Sequence, residues 1–428
     1  MDHYHSIQIR SSQSTNNSHQ ASKGKKSNEM EENLPFNPIS FYFLQISDSK
    51  VESLTNKIFA SAPNPVHLTF WSCSFSETAF SSIFNRILNS QRIQRLILRS
   101  ISQNLTLNQI RVLCDILKSE ELQEFHFIDN FLPTNGISVI AETIASNGIP
   151  AVKLLSLTNL NNSQAISETE WVIFAESLND CFVEDFNFSE NSPLPLQFLD
   201  ALRSRARNWW SIRLKRLTLR DNSLNLNSLE LLRDIFVHLE YIDLSGNSLN
   251  LESVQLLSTA LSQTETIKEV ELNNCEIDDE GLKILIDQLE TSKILSFGLC
   301  TNELTDKGII YLFRKLVQID KFIFLESLYL DENLSLSDTC FEKIYDNLLN
   351  MSQVKRTSSK LKLISLEFTN ISDINKEKLE NFLEIHVINR ILLLFCCIQQ
   401  LPRISSKNHL LSKFPLKNFQ LLRQLLYA

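Results

Sequence analysis

Two hydrophobic periods alternate along this chain. A short stretch with every second residue apolar is followed, about a dozen residues on, by apolar residues spaced i, i+3, i+4. The first period suits a half-buried strand and the second an amphipathic helix. In LKRLTLRDNSL, Leu214, Leu217 and Leu219 precede Asn222 and Leu224, and LEYIDLSGNSL places Leu239, Ile242, Leu244, Asn247 and Leu249 in the same way. IKEVELNNCEI follows with Ile267, Val270, Leu272, Cys275 and Ile277. Two further copies run through Ile294, Phe297, Leu299 and Asn302, and through Leu325, Leu328, Leu330 and Asn333.

Earlier copies are looser. Cys73, Asn130 and Asn191 hold the polar position in three of them, whereas Ile101 and Leu160 stand there in two others. Near the end, Leu363, Leu366 and Phe368 place Ile371 in that position, and Ile388, Ile391, Leu393, Cys396 and Ile398 restore the pattern. The twelve copies start at 65, 93, 122, 152, 183, 214, 239, 267, 294, 325, 363 and 388. A period of this length means repeated strand–helix units that bury their apolar faces only against one another.

Each position has a physical reason. Leu217 and Leu219 enter the core while Thr218 and Arg220 face out. The Asn or Cys beyond them lies where the chain leaves the strand, and a buried side chain there has backbone groups of the turn to satisfy. Ile101, Leu160 and Ile371 cannot do this, so irregular turns are expected. Eleven residues past the first position come Ser76, Asn104, Asn225, Asn250, Asp278 and Thr305, all good helix N-caps. Fourteen past it, Gly136, Gly281 and Gly308 share one phase, as if to let the helix approach the sheet. Leu282, Leu285, Ile286 and Leu289 then mark a helix stripe.

The strand pattern followed by a [TD]-x-x-G-[LI] helix start, as in IDDEGL at 277–282 and LTDKGI at 304–309, resembles the ribonuclease-inhibitor-like class of leucine-rich repeats. The resemblance covers roughly residues 60–400. It implies an α/β right-handed solenoid, or horseshoe, of about 12 repeats, with a parallel sheet on the concave face and helices on the convex face. It is poor for function, since the class includes inhibitors, GTPase activators, actin regulators and immune sensors.

Outside the array, residues 1–33 are rich in Ser, Asn, Gln and Lys and read as a disordered tail. Residues 34–64 read as an N-terminal cap or atypical repeat, 65–398 as the repeat array and 399–428 as a C-terminal cap helix. MSQVKRTSSKLK at 351–362 reads as a protruding loop. Terminal repeats need covers because an open solenoid end exposes core.

Composition removes several chemistries. Only 7 glycines occur in 428 residues, against Gly-rich phosphate loops. The 8 cysteines form no CxxC pair and no metal-finger spacing with histidine. No nucleophile-elbow, zinc-protease or dinucleotide motif is present. No catalytic residue, cofactor or metal is therefore expected, and the chain is not read as an enzyme. The N-terminus lacks a secretory apolar stretch and the longest apolar run, Ile391 to Ile398, is too short to span a membrane. A cytoplasmic monomer with reduced thiols is expected.

The net charge of −9 is unevenly placed, with 24 acidic and 10 basic residues between Leu217 and Leu349. That acidic half points to a basic protein partner and not to nucleic acid. Partner contacts are expected at outward strand positions: Trp71, Arg99, His126, Arg220, Asp243, Glu271, Tyr329, Asp331 and Glu367. Among them Trp71 and Arg99 make an apolar and basic patch with Ile97 and Ile128. Asp243, Glu271, Tyr329, Asp331 and Glu367 make an acidic one with an aromatic centre. RSRARNWWSIRLKR at 203–216 is the most basic stretch, but Leu199, Leu202, Ala206 and Trp209 share one helical stripe, so a packed helix with solvated arginines is the better reading.

The leading function is a protein-interaction scaffold using the concave face. The resemblance also allows a GTPase activator of the Ran-directed type, with Arg99 or Arg220 at the rim, although that family carries an acidic tail where this chain ends in a basic segment. An actin or cortex regulatory scaffold is a further alternative, resting on fold analogy and the basic tail.

Overall fold

The computed structural model describes residues 7–9, 37–59, 66–101, 105–147, 149–160, 166–178, 181–205, 213–316, 324–353 and 360–383. The repeat at 388–398 and the segment 399–428 lie outside them. The chain divides into two compact units, Met1–Asn247 and Ser248–Ala428.

In the first unit the main strands are β1 (Ile7–Ile9), β2 (Asn37–Tyr42), β4 (Val66–Trp71), β6 (Ile93–Arg99), β7 (Glu124–Ile128), β8 (Leu154–Thr158), β9 (Asp185–Asn187), β10 (Arg216–Thr218) and β11 (Tyr241–Asp243). They lie side by side in that order, each pair parallel. β3 (Gln45–Ile46) and β5 (Ser74–Phe75) pair separately. Between strands run α1 (Asp48–Phe59), α2 (Glu77–Ser90), α3 (Leu107–Leu117), α4 (Gly136–Asn147), α5 (Glu168–Ser177), α6 (Leu196–Arg205) and α7 (Leu226–Phe236). Each of these helices packs on the next. The second unit repeats the plan with β12 (Glu269–Glu271), β13 (Ser296–Gly298), β14 (Ser327–Tyr329) and β15 (Leu363–Ser365), and with α8 (Leu251–Ser262), α9 (Asp279–Leu289), α10 (Asp306–Leu316) and α11 (Asp338–Gln353). This is an α/β leucine-rich-repeat-like solenoid.

Burial follows the two periods. In β4, Val66, Leu68 and Phe70 are buried while Trp71 is exposed, and in α9 Leu282, Leu285, Ile286 and Leu289 are buried. Residues Asn37–Phe59 form a strand–strand–helix unit like the others, with Ile39 and Phe41 registered on Leu68 and Phe70.

The turn asparagines do more than close their own turns. Asn302 Oδ1 accepts the N–H groups of Cys275 and Ile277, both at 3.0 Å, and its Nδ2 donates to the Leu272 carbonyl at 2.8 Å. All three partners belong to the preceding repeat. Asn130, Asn191, Asn222, Asn247 and Asn333 reach back in the same way. The N–H groups of Ile101 and Leu160 are taken by Asn130 and Asn191 of the following repeats, so an aliphatic residue in the slot strands nothing on its own backbone. The residues just after Ile101 and Leu160 lie outside the described set. Cys73 donates from Sγ to the Phe41 carbonyl at 3.4 Å, a weaker form of the same bridge.

A second regularity sits one residue before the slot. Phe43, Ser72, Ser100, Asp129, Asn159, Glu190, Asp221, Asn274, Thr301, Glu332 and Phe368 all have positive φ, as does Gly246. The N–H at this position bonds the carbonyl of the next repeat, as from Ser72 to Arg99 and from Thr301 to Asp331. The left-handed turn swings that N–H to its acceptor, and the bond offsets a conformation costing about 1–2 kcal/mol for a residue with a side chain.

Three expectations are corrected. The last described repeat is shifted by two residues: Ile364 pairs with Leu328, so Leu361, Ile364 and Leu366 are buried, and Thr369, not Ile371, holds the slot. Its sequence LKLISLEF fits two registers two apart, and only the downstream Ile371, buried as the final apolar position, separates them. The helix expected to be capped at Asn104 is capped by Thr106 in a box with Gln109, because the connection there is longer. Residues 351–353 end α11 and are not loop, while 354–359 lie outside the described residues.

The in-phase glycines also act differently from expectation. A Cβ on Gly308 would fall 2.2 Å from Asp279 Oδ1, a side chain on the preceding helix start and not on the sheet. Asp279 accepts from the Thr305 N–H at 2.9 Å and from its hydroxyl at 2.6 Å. Asp306 with Ser337, Asp338 with Ser372, and Asp48 with Ser76 repeat the bridge. Gly308→Ala is expected to cost about 1–2 kcal/mol, because the carboxylate must leave those bonds. In urea unfolding, adding Asp279→Ala should cost less in the Gly308→Ala background than in the wild type; strict additivity would refute the clash.

Candidate functional site

Helices cover one face of each sheet, and the other face is built from strand residues at alternate positions. In the first unit this face carries Tyr42, Trp71 and Arg99 as consecutive neighbours across β2, β4 and β6. Trp71 is 39% exposed, its ring lies 5.8 Å from Tyr42, and the Arg99 guanidinium stands 4.9 Å over it. Arg99 also pairs with Asp129 at 2.8 Å, and Asp129 accepts from Asn159 at 2.9 Å. The sequence-derived patch of Trp71, Ile97, Arg99 and Ile128 is thus brought together, with Tyr42 and Asp129 added to it.

His126 is less available than expected: its side chain is 14% exposed, with Nε2 at 3.8 Å from Glu124. It borders a charged row of the same face through Glu124. Counted from the first residue of each repeat, His126, Asp243, Glu271 and Tyr329 stand at the fifth position and Trp71, Arg99, Arg220 and Asp331 at the seventh, and alternation also turns the third outward. The third positions are His67, Arg95, Glu124, Leu154, Asp185, Arg216 and Tyr241, registered strand on strand. Arg95 and Glu124 pair at 2.9 Å, Arg216 and Asp185 at 3.4 Å, and the Arg216 guanidinium lies 3.7 Å over the Tyr241 ring. A shallow cavity of about 220 Å³ lies along this row beside Lys153, Glu184 and Lys215.

The two carboxylates of the row are tuned in opposite directions. The imidazole of His126 lowers the pKa of Glu124, burial opposes it, and the Arg95 charge lowers it further. Burial raises Asp185, and the Arg216 charge only partly offsets it. Glu124 therefore adds stability that is complete above its unfolded pKa of about 4.3 and is lost as pH falls through its lower folded value. Ionised Asp185 costs stability, and that cost is relieved as pH falls through its raised folded value. Glu124→Gln should make the acid loss of stability shallower and Asp185→Asn should make it steeper. Each change is expected to stay below ~1 kcal/mol because these groups are partly solvated. Urea midpoints between pH 3 and 7 test the signs.

Asp243 departs from expectation. It is 3% exposed, accepts from the Ser245 N–H at 2.9 Å and the Tyr241 hydroxyl at 3.3 Å, and lies 3.8 Å from exposed Arg220. It braces the first unit from within and offers little surface to a partner.

Glu271, Tyr329, Asp331 and Glu367 do share the open face of the second unit. Glu271 lies along the sheet, accepting from Asn273 Nδ2 at 2.9 Å, in space that a Cβ on Gly298 would occupy. Asp331 accepts from the Ser365 hydroxyl at 2.6 Å and the Glu367 N–H at 2.7 Å. The register shift leaves Glu367 on this face, one outward position further along, and exposed. Tyr329 is half-buried among them. Cys300 lies beside Asp331, and burial, then the Asp331 charge, pushes its thiol up to about 11, which removes it as a nucleophile at neutral pH.

In the basic stretch, Leu199 and Leu202 are buried and Arg203 pairs with Asp200 at 2.6 Å on the exposed side. Ala206 and Trp209 lie outside the described residues. Among the described residues no group of His, Cys, Asp or Glu is arranged to hold a metal, and no helix is long and apolar enough to cross a membrane.

No protein-family model matches the sequence, and no curated protein matches it either. Among solved structures, the chain is similar to Leiomodin-1 actin-binding site 2, with 19% identity over 40% of this chain and 94% of that chain, at a TM-score of 0.34. It is also similar to a chain of the yeast Rad7 and Elc1 complex, with 15% identity over 80% of this chain and 78% of that chain, at a TM-score of 0.47.

Proposed function

We propose that this chain is a non-enzymatic interaction scaffold whose second unit docks a basic protein surface on the helix-free face of its sheet. One observation carries the reading. The outward strand positions of β12 to β15 and the turns beyond them hold Glu269, Glu271, Asp331, Glu332 and Glu367, with no lysine or arginine at the third, fifth, seventh or eighth repeat positions. Tyr329 stands among them as an aromatic anchor, the residue type that dominates interface energies. The acids speed and orient encounter, and Tyr329 supplies contact energy. The helix starts IDDEGL and LTDKGI support a ribonuclease-inhibitor-like repeat class for the chain.

The GTPase-activator alternative gains no support from the geometry of Arg99, which is already bonded to Asp129 and stacked on Trp71. No described residue favours the actin alternative.

The test is affinity capture from native lysate at low and moderate salt, with the intact chain and with a Tyr329→Ala, Glu367→Lys variant. A partner held by the intact chain should bind the variant at least about 100-fold more weakly, on the scale of an interface hot spot, and binding should fall with salt. Equal retention by both proteins would overturn the reading.

A further inference from the structure

β1 does not belong to a repeat. It pairs with β2 in parallel, Ile7 on Ile39, Gln8 on Ser40 and Ile9 on Phe41, so it takes the place that a preceding repeat's strand would hold. Every other main strand reaches its neighbour through a segment with helical apolar spacing. Residues 10–36 have none: RSSQSTNNSHQASKGKKSNEMEENLPF is almost wholly polar. The span suffices for a parallel connection, which needs about a dozen residues or more.

The edge that β1 covers needs a partner. β2 is followed on its other side by β4, and its outer backbone groups would otherwise be an open row of donors and acceptors. The pattern of β1 also fits: apolar Ile7 and Ile9 stand at the register positions of buried Ile39 and Phe41, and polar Gln8 at that of Ser40.

We infer that the outer edge of β2 is a β-augmentation site for extended segments of apolar–polar–apolar pattern, and that Ile7–Ile9 occupies it in cis as a replaceable strand. Three residue pairs make a weak strand on their own. The strand holds its place because it is tethered, which gives it an effective concentration in the millimolar range. An external segment of the same pattern competes with it through main-chain bonds. The inference is independent of the acidic face of the second unit.

The experiment uses the full chain and a full-chain Gln8→Pro, Ile9→Pro variant. Adjacent prolines remove a backbone donor whichever of the two N–H groups faces β2. The probe is a fluorescent synthetic peptide of residues 4–12. The proline variant, with its circular dichroism unchanged, should bind the peptide, and the intact chain should bind it about tenfold more weakly because the cis strand competes. A peptide carrying the same two prolines should not bind. Absence of binding to the folded variant, equal binding to both proteins, or binding of the proline peptide would each overturn the inference. A concentration-dependent dimer of the intact chain that the prolines abolish would place a second copy's strand on the edge and overturn the cis assignment.

Discussion

Asn302→Leu is expected to destabilise the second unit by about 3–5 kcal/mol, although it replaces a polar residue by an apolar one of the same branched shape in a buried place. Asn302 accepts two N–H groups, from Cys275 and Ile277, and donates to the carbonyls of Leu272 and Cys300. Leucine serves none of them. Each buried group left without a partner costs about 1–3 kcal/mol, and burying more hydrocarbon returns only part of that. Asn302→Cys should cost roughly half as much, since cysteine fills this slot at Cys73 and Cys275 and its thiol still donates. Urea unfolding of the three proteins decides it, read on the transition of the second unit, because repeat arrays need not unfold in one step. A loss below about 1 kcal/mol for the leucine variant would mean that water or a shifted turn replaces the asparagine.

Phe188→Ala is expected to cost the first unit about 4–5 kcal/mol. Phe188 is fully buried, with ring centroids of Trp171, Phe174, Phe186 and Phe198 at 5.3, 5.6, 5.5 and 5.1 Å. A buried Phe→Ala change typically costs about 3–5 kcal/mol, and lost ring–ring pairs place this one at the upper end. The near-ultraviolet circular dichroism of Trp171 should weaken, because one of its two edge-on neighbours, Phe188 and Phe198, is gone. Phe188→Leu should lose less than alanine does, because it keeps most of the buried hydrocarbon while giving up the same ring pairs. If alanine costs less than about 2 kcal/mol, the surrounding rings close the cavity and the cluster is softer than its packing implies.

The repeat architecture was legible because two periods, one of 2 and one of 3.6, alternate at near-constant spacing, and nothing but stacked strand–helix units satisfies both. What escaped was what lies between repeats. The sequence shows Asn302 but not that its partners stand a repeat earlier. It shows Gly308 but not that Asp279 fills the space above it. Register failed where LKLISLEF offered two solutions to the same alternation. The outward face was half read: Trp71, Arg99, Tyr329 and Glu367 sit where alternation places them, whereas Asp243 faces outward yet is covered by the groups it bonds. The charged row from His67 to Arg216 needed no further information. It follows from extending the alternation by one step, and only the choice of positions concealed it.

The turn asparagines give the array a direction. Each bonds the backbone of the repeat before it as well as its own strand end, so a repeat followed by such an asparagine is completed in part by its C-terminal neighbour. Removing repeats from the N-terminal end leaves asparagine side chains facing water, which solvates them readily. Removing them from the other end takes away the acceptor of main-chain N–H groups such as those of Cys275 and Ile277. The two ends of the array therefore open different polar groups when it is shortened. Nested deletions from the two termini should tolerate shortening unequally, and a chain emerging N-terminus first from the ribosome holds each new repeat unfinished until the next one arrives.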